Sequence, residues 1–107
     1  MIPTIEDLQG TWVSRDFPMY QYDDGLEFRF HFGKYATLYF AEGGNNLTIA
    51  EGIYNIEEMC DDNFNIIVDG RFMDLFLTTL SAKLYAKNPL SFMMQLPENG
   101  WRYFEKL

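Results

Sequence analysis

Apolar and polar residues alternate through Leu26-Glu27-Phe28-Arg29-Phe30-His31-Phe32, setting Leu26, Phe28, Phe30 and Phe32 on one face and Glu27, Arg29 and His31 on the other. A period of two describes a strand with one buried and one wet face. After the tight link Gly33-Lys34 the alternation resumes over 35–42, with Ala36, Leu38 and Phe40 opposed to Tyr35, Thr37 and Tyr39. Gly43-Gly44-Asn45-Asn46 breaks the run, since these residues accept positive φ at little cost. Further strands are predicted over 8–14, 47–57, 63–68, 90–96 and 101–106. Thr4 is placed to cap a short helical turn before the first of them. Gly52, in mid-strand, predicts a bulge or bend that curls the sheet towards closure. Asp69-Gly70 predicts a two-residue type I′ hairpin into Arg71-Phe72. Polar turns are expected at 59–63, 87–89 and 97–100.

One segment supports two readings. Between residues 72 and 84, Phe72, Met73, Phe76, Leu77, Leu80 and Leu84 also fall on one helical face, in a composition that favours helix. A helix over 71–86 would make the fold α+β. The hairpin signal at Asp69-Gly70 and the strand-like flanks favour a strand. The predicted fold is therefore all-β: one domain over 1–107, an antiparallel up-and-down meander of about eight strands forming a small barrel.

Composition fits a filled interior. Ten Phe, seven Tyr and two Trp stand among 107 residues, and each buried aromatic hides about 150–250 Å². The net charge of −8 changes the functional picture more. Residues 1–74 hold fourteen acids against four bases, whereas 75–107 hold two against four. Nucleic acid and anionic membrane are disfavoured as partners, because both demand a basic surface. A lone Cys60 excludes an intramolecular disulfide and a cysteine zinc site. Together with an N-terminus lacking the basic start and apolar run of a signal peptide, it leads us to expect a cytoplasmic protein.

The run Leu8-Gln9-Gly10-Thr11-Trp12 resembles the Gly-x-Trp signature that opens the first strand of lipocalins and fatty-acid-binding proteins, the calycins. Trp101-Arg102-Tyr103-Phe104-Glu105-Lys106 is similar to their last strand, in which an arginine closes over that tryptophan. The resemblance implies a lipocalin-like barrel with Trp12 and Arg102 as its closing pair, a guanidinium over an aromatic face. It does not extend to carboxylate capture. Fatty-acid-binding proteins set Arg and Tyr two residues apart, while Arg102 and Tyr103 are adjacent and point to opposite faces.

Chemistry for catalysis is scarce. Cys60 sits in Glu57-Glu58-Met59-Cys60-Asp61-Asp62, where negative charge opposes thiolate formation, and His31 falls on the wet face of its strand. Asp61-x-Asn63 lacks the glycine turn and terminal Glu of a calcium loop, and no phosphate loop or nucleophile elbow is present. The expectation is a protein that is not an enzyme and uses no cofactor or metal. Phe17, Tyr20 and Tyr22, in the long loop after the first strand, are candidate ligand-binding residues, or fold over and close one mouth. The leading expectation is a binding module for a small apolar molecule in the barrel interior or mouth; the alternative is a small acidic inhibitor or immunity-type protein that occupies a basic site on a protein partner. An open apolar cavity supports the first; a packed core with surface carboxylates supports the second.

Overall fold

The alternating segments pair in chain order, each antiparallel to the next, and the last returns to the first. In a computed structural model, which describes residues 2–15, 27–42, 45–72, 75–96 and 100–107, a helical turn α1 (Ile5–Leu8) precedes eight strands. These are β1 (Gly10–Arg15), β2 (Glu27–Phe32), β3 (Ala36–Glu42), β4 (Asn45–Glu58), β5 (Asn63–Phe72), β6 (Leu75–Lys87), β7 (Leu90–Leu96) and β8 (Gly100–Lys106). They form one closed barrel in the order β1 to β8. Closure is made by β1 against β8, with Trp12 opposite Lys106 and Ser14 opposite Phe104. Full closure removes the unpaired strand edges that an open sheet presents.

Inward positions carry the large apolar side chains. Phe28, Phe30 and Phe32 of β2 are buried while His31 is exposed, as the alternation predicts. Phe92 of β7 is a hub: its ring centroid lies 4.8 Å from Trp12, 5.8 Å from Phe104 and 6.0 Å from Phe64. Such aromatic pairs add about 0.5–1.5 kcal/mol each beyond the area they bury. The outward face carries Glu51, Asn55, Glu57, Thr79, Ser81 and Lys83, all exposed. Ile53, Leu77, Tyr85 and Trp101 are exposed on it as well. No helix among the described residues is long and apolar enough to cross a membrane.

Three local expectations are corrected. Asp69-Gly70 is not a hairpin turn: both residues lie within β5, Asp69 opposite Ile53 and Gly70 opposite Gly52. The two glycines serve a close approach of β4 to β5, since a Cβ on Gly52 would stand 2.5 Å from the Asp69 carbonyl oxygen, and one on Gly70 would strike the Glu51 carbonyl. Gly52 itself is paired in regular register, and the irregularity of β4 against β3 falls instead between the pairs Leu38–Ala50 and Tyr39–Thr48. Leu8, placed by its apolar neighbours at the start of a strand, instead ends α1 and is wholly buried. The segment read as either helix or strand is the 13-residue β6, held between β5 and β7.

Candidate functional site

The two barrel ends differ. The lower end holds α1, the turn at 33–35, the turn at 59–62 and Asn88-Pro89. Thr4 accepts a hydrogen bond from the Asp7 N–H (3.1 Å), and Asp7 accepts one from the Thr4 N–H (2.9 Å), a reciprocal cap. The Thr4 backbone N–H and hydroxyl hold the Asp7 carboxyl below its ordinary range. Leu8 then plugs the floor, and its carbonyl accepts from the Trp12 indole N–H at 2.8 Å. Beside it the Tyr54 hydroxyl donates to the Gly33 carbonyl (2.8 Å) and accepts from Gln9 Nε2 (2.7 Å), tying β4 to the β2–β3 turn and to the chain leaving α1.

The closing cation is Lys106. Its ammonium lies 5.8 Å from the Trp12 ring, whereas the Arg102 guanidinium lies 5.1 Å from the ring of Phe28, nearer the other end. Arg102, Phe104 and Lys106 share the inward face of β8, and the register with β1 puts Lys106 opposite Trp12. Closure between first and last strand therefore holds with a different cation from the one the resemblance implies. The Gly-x-Trp pattern acquires a physical reason as well. Gly10 has φ +120°, and a Cβ there would sit 2.9 Å from Lys106 Cε, so a side chain would displace the lysine stem.

At the upper end, Ser14 accepts from the Phe28 N–H at 2.8 Å where the β1–β2 ladder stops. Thr78 of β6 is 6% exposed and lies opposite the buried Val68, and its hydroxyl has no hydrogen-bond partner among the described residues. Phe17, Tyr20 and Tyr22 lie outside the described residues.

Between the ends, the described part of the interior is packed. Trp12, Phe28, Phe30, Phe32, Leu38, Phe64, Ile66, Val68, Leu80, Phe92, Met94, Leu96 and Phe104 are each 2% exposed or less. An internal void of water size would expose its lining atoms, so these residues pack against one another. Among the described residues, solvent-facing space lies on the outside. A groove of about 530 Å³ runs between α1 and the β7–β8 surface, walled by Pro89, Leu90 and Tyr103 and bearing Glu6, Asp7 and Glu105. A smaller one of about 340 Å³, lined by Ile2, Pro3, Leu84 and Lys87, adjoins it. Beside the larger groove, a register shift between Leu84 and Ala86 makes Tyr85 a bulged residue. Tyr85 is 54% exposed and packs edge-on against Tyr103 across β7, with centroids 5.1 Å apart.

His31 accepts from or donates to the Thr11 hydroxyl through Nδ1 at 2.9 Å on the outer face, far along the chain from the exposed Cys60. No group of three or more metal-ligating side chains occurs among the described residues. Lys106, Thr78 and the Tyr85–Tyr103 pair were not singled out from the sequence. Parity on β8 does place Lys106 inward with Phe104, while the Tyr85 bulge depends on pairing with β7 and leaves no local signal. No known family, curated protein or solved structure matches the chain.

Proposed function

We propose that this chain is a non-catalytic, calycin-like barrel that works through its outer surface, binding a basic site on a protein partner. The observation that supports the reading is the packing of the described interior: thirteen large inward side chains are 2% exposed or less and leave no guest-sized void among themselves. The net charge of −8 supplies the complementary property, a field that steers a basic partner and weakens with salt. Calycin kinship is supported by the Gly10-x-Trp12 start and the closed eight-stranded meander, with Lys106 standing over the indole in place of the expected arginine.

The test uses two titrations. Basic proteins should bind more tightly at 50 than at 300 mM salt (on the order of the range where Debye screening tightens), while acidic proteins of the same size should not bind. An apolar fluorophore should find no saturable site and leave emission from buried Trp12 unchanged. Stoichiometric uptake of the fluorophore with a change in Trp12 emission would overturn the reading.

A second reading has its own observation. The unpartnered Thr78 hydroxyl is suited to a ligand with an apolar body and one polar atom, entering at the upper mouth. Native mass spectrometry of protein purified from its host discriminates: a retained small molecule favours the mouth, and a bare chain favours the surface.

A further inference from the structure

The outer surface is not uniform, and the groove beside α1 is where three kinds of chemistry meet. Its walls are apolar and aromatic, from Pro89, Leu90 and Tyr103; its volume is about 530 Å³; and it carries the carboxylates of Glu6, Asp7 and Glu105. The one ammonium on its lining belongs to Lys106, which lies 5.8 Å from the Trp12 ring and offsets the charge of Asp7, leaving Glu6 and Glu105 as the groove's acidic pair. Tyr85, lifted by the β6 bulge onto Tyr103, extends the aromatic wall into solvent, and Trp101 on the same outward face of β8 is 39% exposed. Tyr, Trp and carboxylates beside an apolar hollow are the pairing that arginine uses, because a planar guanidinium stacks on an aromatic ring while its edge donates to oxygen.

We infer that this groove receives an arginine side chain from a basic segment of a protein partner. Its guanidinium stacks on the Tyr85–Tyr103 wall and donates to Glu105 and Glu6, and its methylene stem lies against Pro89 and Leu90. Carboxylates alone would not prefer arginine over lysine; the aromatic wall does. The inference rests on the reading that the partner is basic, and it names which part of the surface does the recognising.

The test is titration of the isotope-labelled chain with a short peptide carrying two arginines, and with peptides in which both are lysine or neutral citrulline. The arginine peptide should shift amide signals of Leu90, Tyr103, Glu105 and α1, and bind several-fold more tightly than the lysine peptide. Citrulline should weaken binding at least about tenfold, the scale of one lost charge-assisted contact of about 1.4 kcal/mol. E6Q/E105Q should weaken it by a similar factor, and E57Q/E58Q, an equal charge change on the β4–β5 hairpin, by less than about twofold. Tyr85→Ala, at an exposed position, should erase the preference for arginine over lysine while leaving the fold intact, which keeps the test available if the double variant melts. Equal losses from the two double variants would overturn the groove and leave the basic-partner reading standing. No salt-sensitive binding of any cationic peptide or basic protein would overturn both.

Discussion

Replacing Thr78 by Val asks the molecule directly whether its upper end is finished. The hydroxyl is buried without a partner among the described residues, and Val offers the same branched shape with a methyl in its place. Burying a hydroxyl unpaired costs about 1–3 kcal/mol, and the exchange keeps a β-branched residue on the strand. Thr78→Val should therefore stabilise the chain by about 1–2 kcal/mol. Unfolding entropy of about 2.1 cal/mol/K per residue makes each kcal/mol worth roughly 4–5 °C for a chain of this length, so the Tm should rise by about 4–9 °C. Thermal melts by circular dichroism, on protein refolded from denaturant to strip any guest, measure it. Thr78→Ser, which keeps the hydroxyl and drops the methyl, should lower the Tm. A fall in the Tm of Thr78→Val would mean that the hydroxyl has a partner in solution, and the mouth reading would gain at the expense of the surface one.

Tyr54→Phe removes a hydroxyl that both donates to Gly33 and accepts from Gln9; a loss of about 1–2 kcal/mol is expected in urea unfolding, with an unchanged m-value. Gly70→Ala forces a Cβ into the Glu51 carbonyl and should destabilise by more than about 2 kcal/mol, whereas a true hairpin glycine at positive φ would be the only other reason for such a cost and is not its role here. Thr4→Ala removes the hydroxyl of the cap, at a cost of about 1 kcal/mol. Because the folded Asp7 carboxyl lies below its unfolded value, its contribution is present above the unfolded pKa and fades as pH falls through the folded one. Carbon-detected NMR titration should show the Asp7 pKa moving up towards the ordinary range in Thr4→Ala.

The fold was legible where structure is local or strictly periodic. Phe28, Phe30 and Phe32 announce their inward face because a sheet with one dry side admits no other spacing. Leu90–Leu96 was bounded to the residue because Pro89 and Pro97 punctuate it. What failed was non-local. Asp69-Gly70 has hairpin chemistry, but only the sheet shows that Gly70 faces Gly52 across two backbones in near contact. In β6 the exposed Leu77 on one face and the buried Leu80 on the other mimic a helical stripe, and pairing with β5 and β7 settles it. Arg102 and Lys106 have the same parity, so choosing between them requires the β1–β8 register. The groove joins α1 to β7 and β8, segments more than eighty residues apart, and the partners of Glu6 lie beyond any sequence window.

A closed barrel restricts how a partner can be held, and the restriction yields a kinetic prediction. With β1 paired to β8, no strand edge is open for a peptide to extend the sheet, so recognition falls to side chains. Charges spread over the surface then set the encounter rate, and groups that are desolvated in the complex set the lifetime. Glu57 and Glu58, exposed on the hairpin, belong to the first kind. Glu105, half-buried on the groove wall, belongs to the second. For the arginine peptide, E57Q/E58Q should slow association modestly at low salt and leave dissociation unchanged. Glu105→Gln should speed dissociation about three- to tenfold at every salt concentration, as expected for one weakened charge-assisted hydrogen bond. Stopped-flow measurement with a fluorophore-labelled arginine peptide resolves the two rates. If Glu105→Gln altered only association, the carboxylate would be acting at a distance, and the guanidinium would not be seated where the groove places it.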